Sequence, residues 1–300
     1  MGRGALSIMH RCWVALFVLA ATGCGGDGDP AAKFTDTQEL GSRTRVGVTF
    51  ESRGVEVRGA LDLPPTDGPH PAIVWVHGSG DERLDDRFQI YTEHVDPRFA
   101  VFFYERSPKP DAGFEDLAQD VVGAVEAVRS HDEIDVDSVG LLALGVGGWT
   151  TPLAARSENG VSFAAVLSGP VVSVGEENLF EKLTGSLGCA PTGIPDAEVQ
   201  RRVNAARPSH FDPRPALARV DVPVLWLYGG LDTQQPVAKD LGVLKALQAE
   251  GKEFATVVFP KANHELLVSE TGTCWEGRRG RGVTPGFGPA LNGWLREHVT

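Results

Sequence analysis

The chain is expected to fold as an α/β protein, with a mostly parallel central sheet, helices on both faces and a cap inserted late in the chain. Three observations predict this. Continuous apolar runs at 72–76, 100–104, 139–144, 163–167, 223–228 and 254–259 have the composition of strands buried on both faces. Stretches with helical spacing lie between them, the clearest placing Leu117, Val121, Val125 and Val128 on one face. The alternation of buried strands with helices is the pattern of a parallel sheet covered on each side. Residues from about 171 to 214 break that alternation, and a long insert after a strand is usually functional when it is ordered.

The amino-terminal elements come first. Arg3 and Arg11 precede an apolar run, 13–21, that is too short to span a bilayer, which is the layout of a signal peptide over 1–23. Leu19-Ala20-Ala21-Thr22-Gly23-Cys24 resembles a bacterial lipobox, in which the cysteine receives a lipid anchor after cleavage. Ala21 departs from the usual leucine, and an ordinary signal peptide that happens to hold a cysteine is the alternative. Gly25-Gly26-Asp27-Gly28-Asp29-Pro30 follows at once and favours the lipoprotein, since such a segment reads as part of a flexible tether over 24–44. Either reading exports the mature chain. The lipoprotein reading places it in the bacterial cell envelope, on the periplasmic or surface side, with the membrane as a partner through its lipid.

The remaining elements follow in order over 45–300. Runs at 46–51 and 55–63 form a hairpin turned at Ser52-Arg53-Gly54. The 72–76 strand leads into His77-Gly78-Ser79-Gly80, and the 100–104 strand ends at Glu105-Arg106. A helix begins at Phe114, a strand occupies 139–144, and a helix runs through 152–156. The 171–214 insert carries one helix around 196–206 and reads as a cap. Strands at 223–228 and 254–259 flank a helix through 237–247. Cys189 and Cys274 remain for the folded domain, and an even pair in an oxidising compartment is a candidate disulfide. Two unpaired thiols are the alternative, because sequence does not reveal the Cα approach a bridge needs.

Composition bounds the function. At 42% hydrophobic and 23% charged, the 300 residues can build one sizeable core. A formal net charge of −12 repels phosphate backbones, so nucleic acid is not an expected partner. The basic cluster Arg278, Arg279 and Arg281 sits among glycines and reads as a solvated loop more simply than as an anion site. No histidine has Cys, His or carboxylate neighbours at metal-ligand spacing, and no phosphate-cradling loop is present, so neither metal nor cofactor is expected.

The chemistry concentrates at the carboxyl ends of the strands. Val139 to Trp149 has the strand–turn–helix context of the G-x-S-x-G nucleophile elbow, with Gly147 and Gly148 in place, yet the nucleophile position is Gly145. In that motif the middle residue sits on a strained turn that projects its side chain into the site. Asp232 follows the 223–228 strand in a Gly-Gly-Leu-Asp loop, and His264 follows the 254–259 strand. An Asp in a Gly-rich loop is usually a turn residue. An acid and a histidine on consecutive strands, in the order nucleophile, acid, histidine, instead point to the last two members of a hydrolytic triad. The acid would hold the imidazole in one tautomer and stabilise its protonated form. The backbone N–H groups of Ser79 and Val146 would supply an oxyanion hole, since preorganised donors are needed where charge develops.

On these residues the chain resembles the α/β-hydrolase superfamily, in particular bacterial serine esterases and related acyl-hydrolases and peptidases whose elbow reads G-H-S-Q-G-G-W. The likeness runs from about 45 to 298 and includes Asp212-Pro213-Arg214 and Thr151-Pro152-Leu153-Ala154-Ala155. Laid on that elbow, Ala143 and Leu144 replace Gly-His, Gly145 replaces Ser and Val146 replaces Gln. The resemblance implies hydrolysis of esters, thioesters or amides through an acyl-enzyme for typical members, and Gly145 removes the oxygen that would carry the acyl group. The expectation is a degenerate member that binds a small acyl or peptide-like ligand. Two alternatives stand beside it. One is an active hydrolase using water activated by His264, or an unexpected hydroxyl such as Thr150 or Ser79. The other is an envelope lipoprotein that uses the fold only as a surface.

Overall fold

A computed structural model describes residues 31–79, 89–107, 112–273 and 282–299. The expected signal peptide, Cys24, Gly80, Cys274 and the Arg278–Arg281 cluster lie outside the described residues. The strands are β1 (Ala32–Leu40), β2 (Arg43–Ser52), β3 (Val55–Leu63), β4 (His70–Val76), β5 (Ala100–Tyr104), β6 (Ile134–Leu144), β7 (Phe163–Leu167), β8 (Val224–Gly229) and β9 (Phe254–Phe259). They make one nine-stranded sheet in the order β1-β2-β3-β5-β4-β6-β7-β8-β9. The β1–β2, β2–β3 and β3–β5 pairs are antiparallel, and every pair from β5 through β9 is parallel. The fold is therefore an α/β-hydrolase fold, as the buried runs predict.

Each face of the sheet has its own core. On one face α2 (Phe114–Arg129), α3 (Gly147–Ala154) and α7 (Val237–Ala249) cover a cluster that includes Val74, Phe102, Val125, Leu141 and Trp226. On the other, α1 (Gln89–Thr92) and α8 (Phe287–His298) cover Trp75, Phe99, Phe163, Leu227 and Trp294. Trp75 and Trp226 are fully buried on opposite faces. Truncating either indole would leave a large cavity, at a cost of about 3–5 kcal/mol. The sheet can bury both faces because its central strands lack the alternation of an exposed face: β4 through β8 carry apolar side chains at nearly every position.

Two expectations need correction. The tether predicted over 24–44 is cut short by β1, which pairs with β2 from Ala32↔Phe50 to Leu40↔Arg43 across a bulge between Phe34 and Thr37. An edge strand needs only one partner, and β1 keeps Phe34 and Leu40 more than a third exposed, so it lacks the continuous apolar signal of the inner strands. The insert predicted over 171–214 with one helix contains two, α4 (Val174–Thr184) and α5 (Asp196–Ala205), and the short α6 (Arg214–Leu217) starts at its last residue. α4 starts at a capping box, in which Ser173 Oγ takes the Glu176 N–H and the Glu176 carboxylate takes the Ser173 N–H at 2.9 Å. Phe180 and Leu183 of α4 pack on Val199 and Val203 of α5, a small core separate from the two sheet clusters.

One buried charge fixes the cap to the sheet-flanking helices. Glu176 is fully buried, with Lys239 Nζ of α7 at 2.6 Å and the Arg214 guanidinium of α6 against its other oxygen. Burial alone would raise this carboxyl, but bonds from Lys239 and Ser173 and the charge of Arg214 hold it below the usual carboxylate range. Cys189 lies just beyond α4.

Candidate active site

Gly145 occupies the tip of β6, between the central strand and α3, with φ +53°. A left-handed backbone there is the strained turn of an elbow, and glycine adopts it without steric penalty. The turn is held by Gly145 N–H donating to Leu167 O at 2.9 Å and Gly148 N–H donating to Gly145 O at 2.7 Å. Gly148 in turn lies against Gly169 after β7, where a Cβ would come within 2.5 Å of the Gly169 Cα. The glycine pair thus lets α3 press close to the sheet directly beyond the elbow. Trp149 anchors the helix from inside, its Nε1–H donating to Val172 O at 2.8 Å.

A Cβ built on Gly145 would lie 3.5 Å from His264 Nε2, with no other heavy atom nearer than 4 Å among the described residues outside its chain neighbours. His264 thus faces the elbow tip across the space a side chain would occupy. Its Nδ1 is 2.9 Å from Asp232 Oδ2. Asp232 is held by the start of its own turn, where Oδ1 accepts the N–H groups of Gln234 at 2.8 Å and Gln235 at 2.9 Å. With both carboxylate oxygens engaged, Asp232 is pinned in the orientation that receives Nδ1–H and leaves Nε2 towards Gly145. Among the described residues, no hydroxyl or thiol hydrogen-bonds the His264 ring.

The histidine loop is rigid for local reasons. Asn263 Oδ1 accepts Leu267 N–H at 2.9 Å, and the Asn263 N–H donates to Leu267 O at 3.0 Å. Tyr91 O–H donates to Glu265 O at 2.8 Å from α1. Leu231 N–H donates to Ala262 O at 2.9 Å, tying the acid loop to the histidine loop. Burial pulls the imidazole pKa down, but the charge and hydrogen bond of Asp232, helped by Glu177 and Glu265, outweigh it and leave it raised. The protonated imidazole is stabilised, which suits a group that takes a proton and returns it.

The residues after β4 sit beside the elbow. His77 is buried with its ring edge-on to Tyr104 at 4.5 Å, and the Arg106 guanidinium donates to Gly78 O. Those contacts make His77 a packing residue and brace the loop from β5. Ser79 is exposed at the end of this described stretch, and Val146 precedes the first turn of α3. Thr150, the other hydroxyl considered from sequence, is buried in α3. Neither Ser79 nor Thr150 hydrogen-bonds His264.

Folding also brings forward residues that the sequence did not single out. Glu177 and Glu181 lie one helical turn apart on α4, and both interact electrostatically with His264 and Asp232. Gln235 Nε2 donates to Glu177 Oε1 at 2.6 Å, so the cap helix touches the residue whose N–H supports Asp232. Burial, with the neighbouring charge of Glu181, pushes the Glu177 carboxyl up to about 7. The Asp232-Thr233-Gln234-Gln235 turn is an aspartate turn legible in sequence, but nothing local in α4 announces that Glu177 meets it. A cavity of about 220 Å³ opens between the cap and the acid loop, lined by Thr184, Ile194, Val199 and Thr233 among others. Among the described residues no group of three or more His, Cys, Asp or Glu side chains converges as a metal site.

The profile of the prolyl oligopeptidase family matches residues 109–276, which span the elbow, the cap, Asp232 and His264. The chain belongs to the prolyl oligopeptidase family. Within and around it, the chain is 26% identical over 222 residues to acyl-coenzyme A thioesterase 1 of Rattus norvegicus, covering 70% of this chain and 52% of that protein. It is 26% identical over 260 residues to esterase EstD of Thermotoga maritima, covering 74% and 61%. The chain spans about half the length of the acyl-coenzyme A thioesterases it matches. Among solved structures, the Pyrococcus horikoshii acylaminoacyl peptidase superposes with a TM-score of 0.61 at 15% identity, covering 87% of this chain and 42% of that one. Acetyl xylan esterase 1 from Thermoanaerobacterium sp. superposes at 0.54 with 15% identity, covering 91% and 89%. These structures share the α/β-hydrolase fold, and the two sequence relatives are a thioesterase and an esterase.

Proposed function

We propose that this protein is a degenerate esterase- or thioesterase-like member of its family that binds an acyl or peptide-like ligand over Gly145 and His264 without the two-step serine mechanism. The observation that carries this reading is the 3.5 Å approach of His264 Nε2 to the site of an absent Cβ, in a turn that keeps the left-handed elbow backbone. Base, acid and elbow are arranged for an acyl transfer whose oxygen nucleophile the sequence does not encode at Gly145. Loss of a serine nucleophile costs about 10⁶ in kcat in a well-studied serine protease, leaving about 10³–10⁴ over water from binding and the oxyanion donors. Binding is what such a site does best. The test is a serine-directed fluorophosphonate probe on the intact protein. It is expected to label nothing, and a stable adduct at any residue would overturn the reading.

The raised imidazole pKa and fully engaged Asp232 favour one second reading, a one-step hydrolase in which His264 activates water. Hydrolysis of short activated esters that disappears in His264→Ala would support it, and identical rates in the two proteins would dismiss it. The amino-terminal reading is likewise a proposal: Cys24 carries a lipid, and the domain works at the surface of a bacterial membrane.

A further inference from the structure

The cap carries a carboxylate that reaches the catalytic pair through one intermediate side chain. Glu177 Oε1 accepts Gln235 Nε2–H at 2.6 Å, Gln235 N–H donates to Asp232 Oδ1 at 2.9 Å, and Asp232 Oδ2 receives His264 Nδ1 at 2.9 Å. Gln235 is 1% exposed, so its amide is fixed by what it touches inside the protein. α4, which bears Glu177, is itself clamped by the buried Glu176 with Lys239 and Arg214. A rigid helix, a buried amide and a pinned aspartate therefore form a continuous connection from cap to imidazole.

We propose that Glu177 is a positioning residue that acts on His264 by its charge and is held in place for this by the buried Gln235 side chain of the acid turn, so that seating of the cap helix governs how the imidazole is held and protonated. The inference rests on the Asp232–His264 pair being the working centre of the site. Several charged groups face Glu177. Glu181 comes from its own helix, Asp232 from the acid loop, Asp240 from the first turn of α7 and His264 from the histidine loop. Burial, with the charges of Glu181 and Asp232, explains why Glu177 holds its proton up to about pH 7. His264 is the one partner among them that gains from an ionised Glu177. Closing the cap brings a negative charge towards the imidazole, and opening it removes that charge and frees the Gln235 side chain. A ligand that displaces α4 would thereby weaken the base, and one that seats it would strengthen the base.

The test is the titration of the His264 ring, followed by NMR in the full chain and its variants. Glu177→Gln keeps the shape and removes the charge; Gln235→Leu removes the side-chain bond that favours the ionised Glu177 carboxyl and leaves the backbone N–H on Asp232 in place. Each is expected to lower the His264 midpoint by about half a unit, a threefold loss of proton affinity. The double variant is expected to fall no further than the larger single effect, because both act along one path. An unchanged midpoint in Glu177→Gln would overturn the proposal. So would full additivity of the two effects, which would mean that Gln235 acts on His264 independently of Glu177. The readout needs no turnover, so its failure leaves the labelling experiment on the ligand site untouched, and labelling leaves this one untouched.

Discussion

Gly145→Ser is the perturbation that the site geometry specifies most fully. With the Cβ 3.5 Å from His264 Nε2, one further C–O bond in a staggered rotamer brings Oγ into the range of about 2.6–3.2 Å that a nucleophile–base pair uses. Among the described residues, no other side chain within 4 Å contests the position. The backbone cost is separate: a non-glycine residue at φ +53° carries roughly 1–2 kcal/mol of strain. For a domain of this size that corresponds to a loss of about 3–6 °C in Tm. The variant should therefore be slightly less stable and newly reactive. Stopped-flow hydrolysis of a p-nitrophenyl ester is expected to show an acylation burst, with a rate at least about 10²-fold above the parent. The ceiling is the roughly 10⁶ attributed to a serine nucleophile. Fluorophosphonate should label position 145 and nothing else. A variant with the Tm loss but neither burst nor label would refute the reasoning. It would mean that Leu144 and Val146 have turned the elbow so that a hydroxyl there does not meet the imidazole.

Three further outcomes follow from the same structure. Glu177 titrates near 7 in the folded protein against an ordinary 4.5, so the folded state holds more protons between those values and stability falls as pH rises through them. The upper limit of that loss is about 3 kcal/mol, and partial solvent contact reduces it to roughly 1–2; denaturant melts at pH 5 and 8 should show it for the parent and not for Glu177→Gln. Glu176→Ala strands Lys239 and Arg214 against the cap and is expected to cost about 3–5 kcal/mol, read as a lower urea midpoint. Cys24→Ala is expected to abolish incorporation of labelled fatty acid in a bacterial host; unchanged incorporation would refute lipidation at that residue.

The sheet was legible for two reasons. The 55–63, 100–104, 163–167 and 254–259 runs match β3, β5, β7 and β9 to the residue: β5 and β7 are buried at every position, whereas β3 and β9 alternate over part of their length and keep one face in the core. The order of Gly145, Asp232 and His264 was legible for a topological reason: consecutive parallel strands deliver their carboxyl ends to one edge. α4 was harder. Its apolar residues serve a small satellite core, although Ser173 and Glu176 spelled a capping box that marks its start. β1 was hidden because one-sided pairing asks little of side chains. Glu177 and Gln235 could not be read at all, because their meeting spans 58 positions and exists only once the cap has docked. The stretch around Cys274 lies beyond the described residues, so the bridge of Cys189 to it stands as a proposal.

The position of β1 has a mechanical consequence. Its first residue, Ala32, pairs at the open end of the β1–β2 hairpin, opposite Phe50, while Gly145 sits on the sixth strand of the same sheet. Tension applied through the preceding chain loads that ladder one rung at a time, as a zipper is drawn, and the bulge at Phe34–Thr37 is an early weak link. The rungs nearest the pull give way first, while β3, β5 and β4 still stand between the fraying edge and the histidine. A domain hung from its edge strand can thus absorb a tug without disturbing the turn that faces its imidazole.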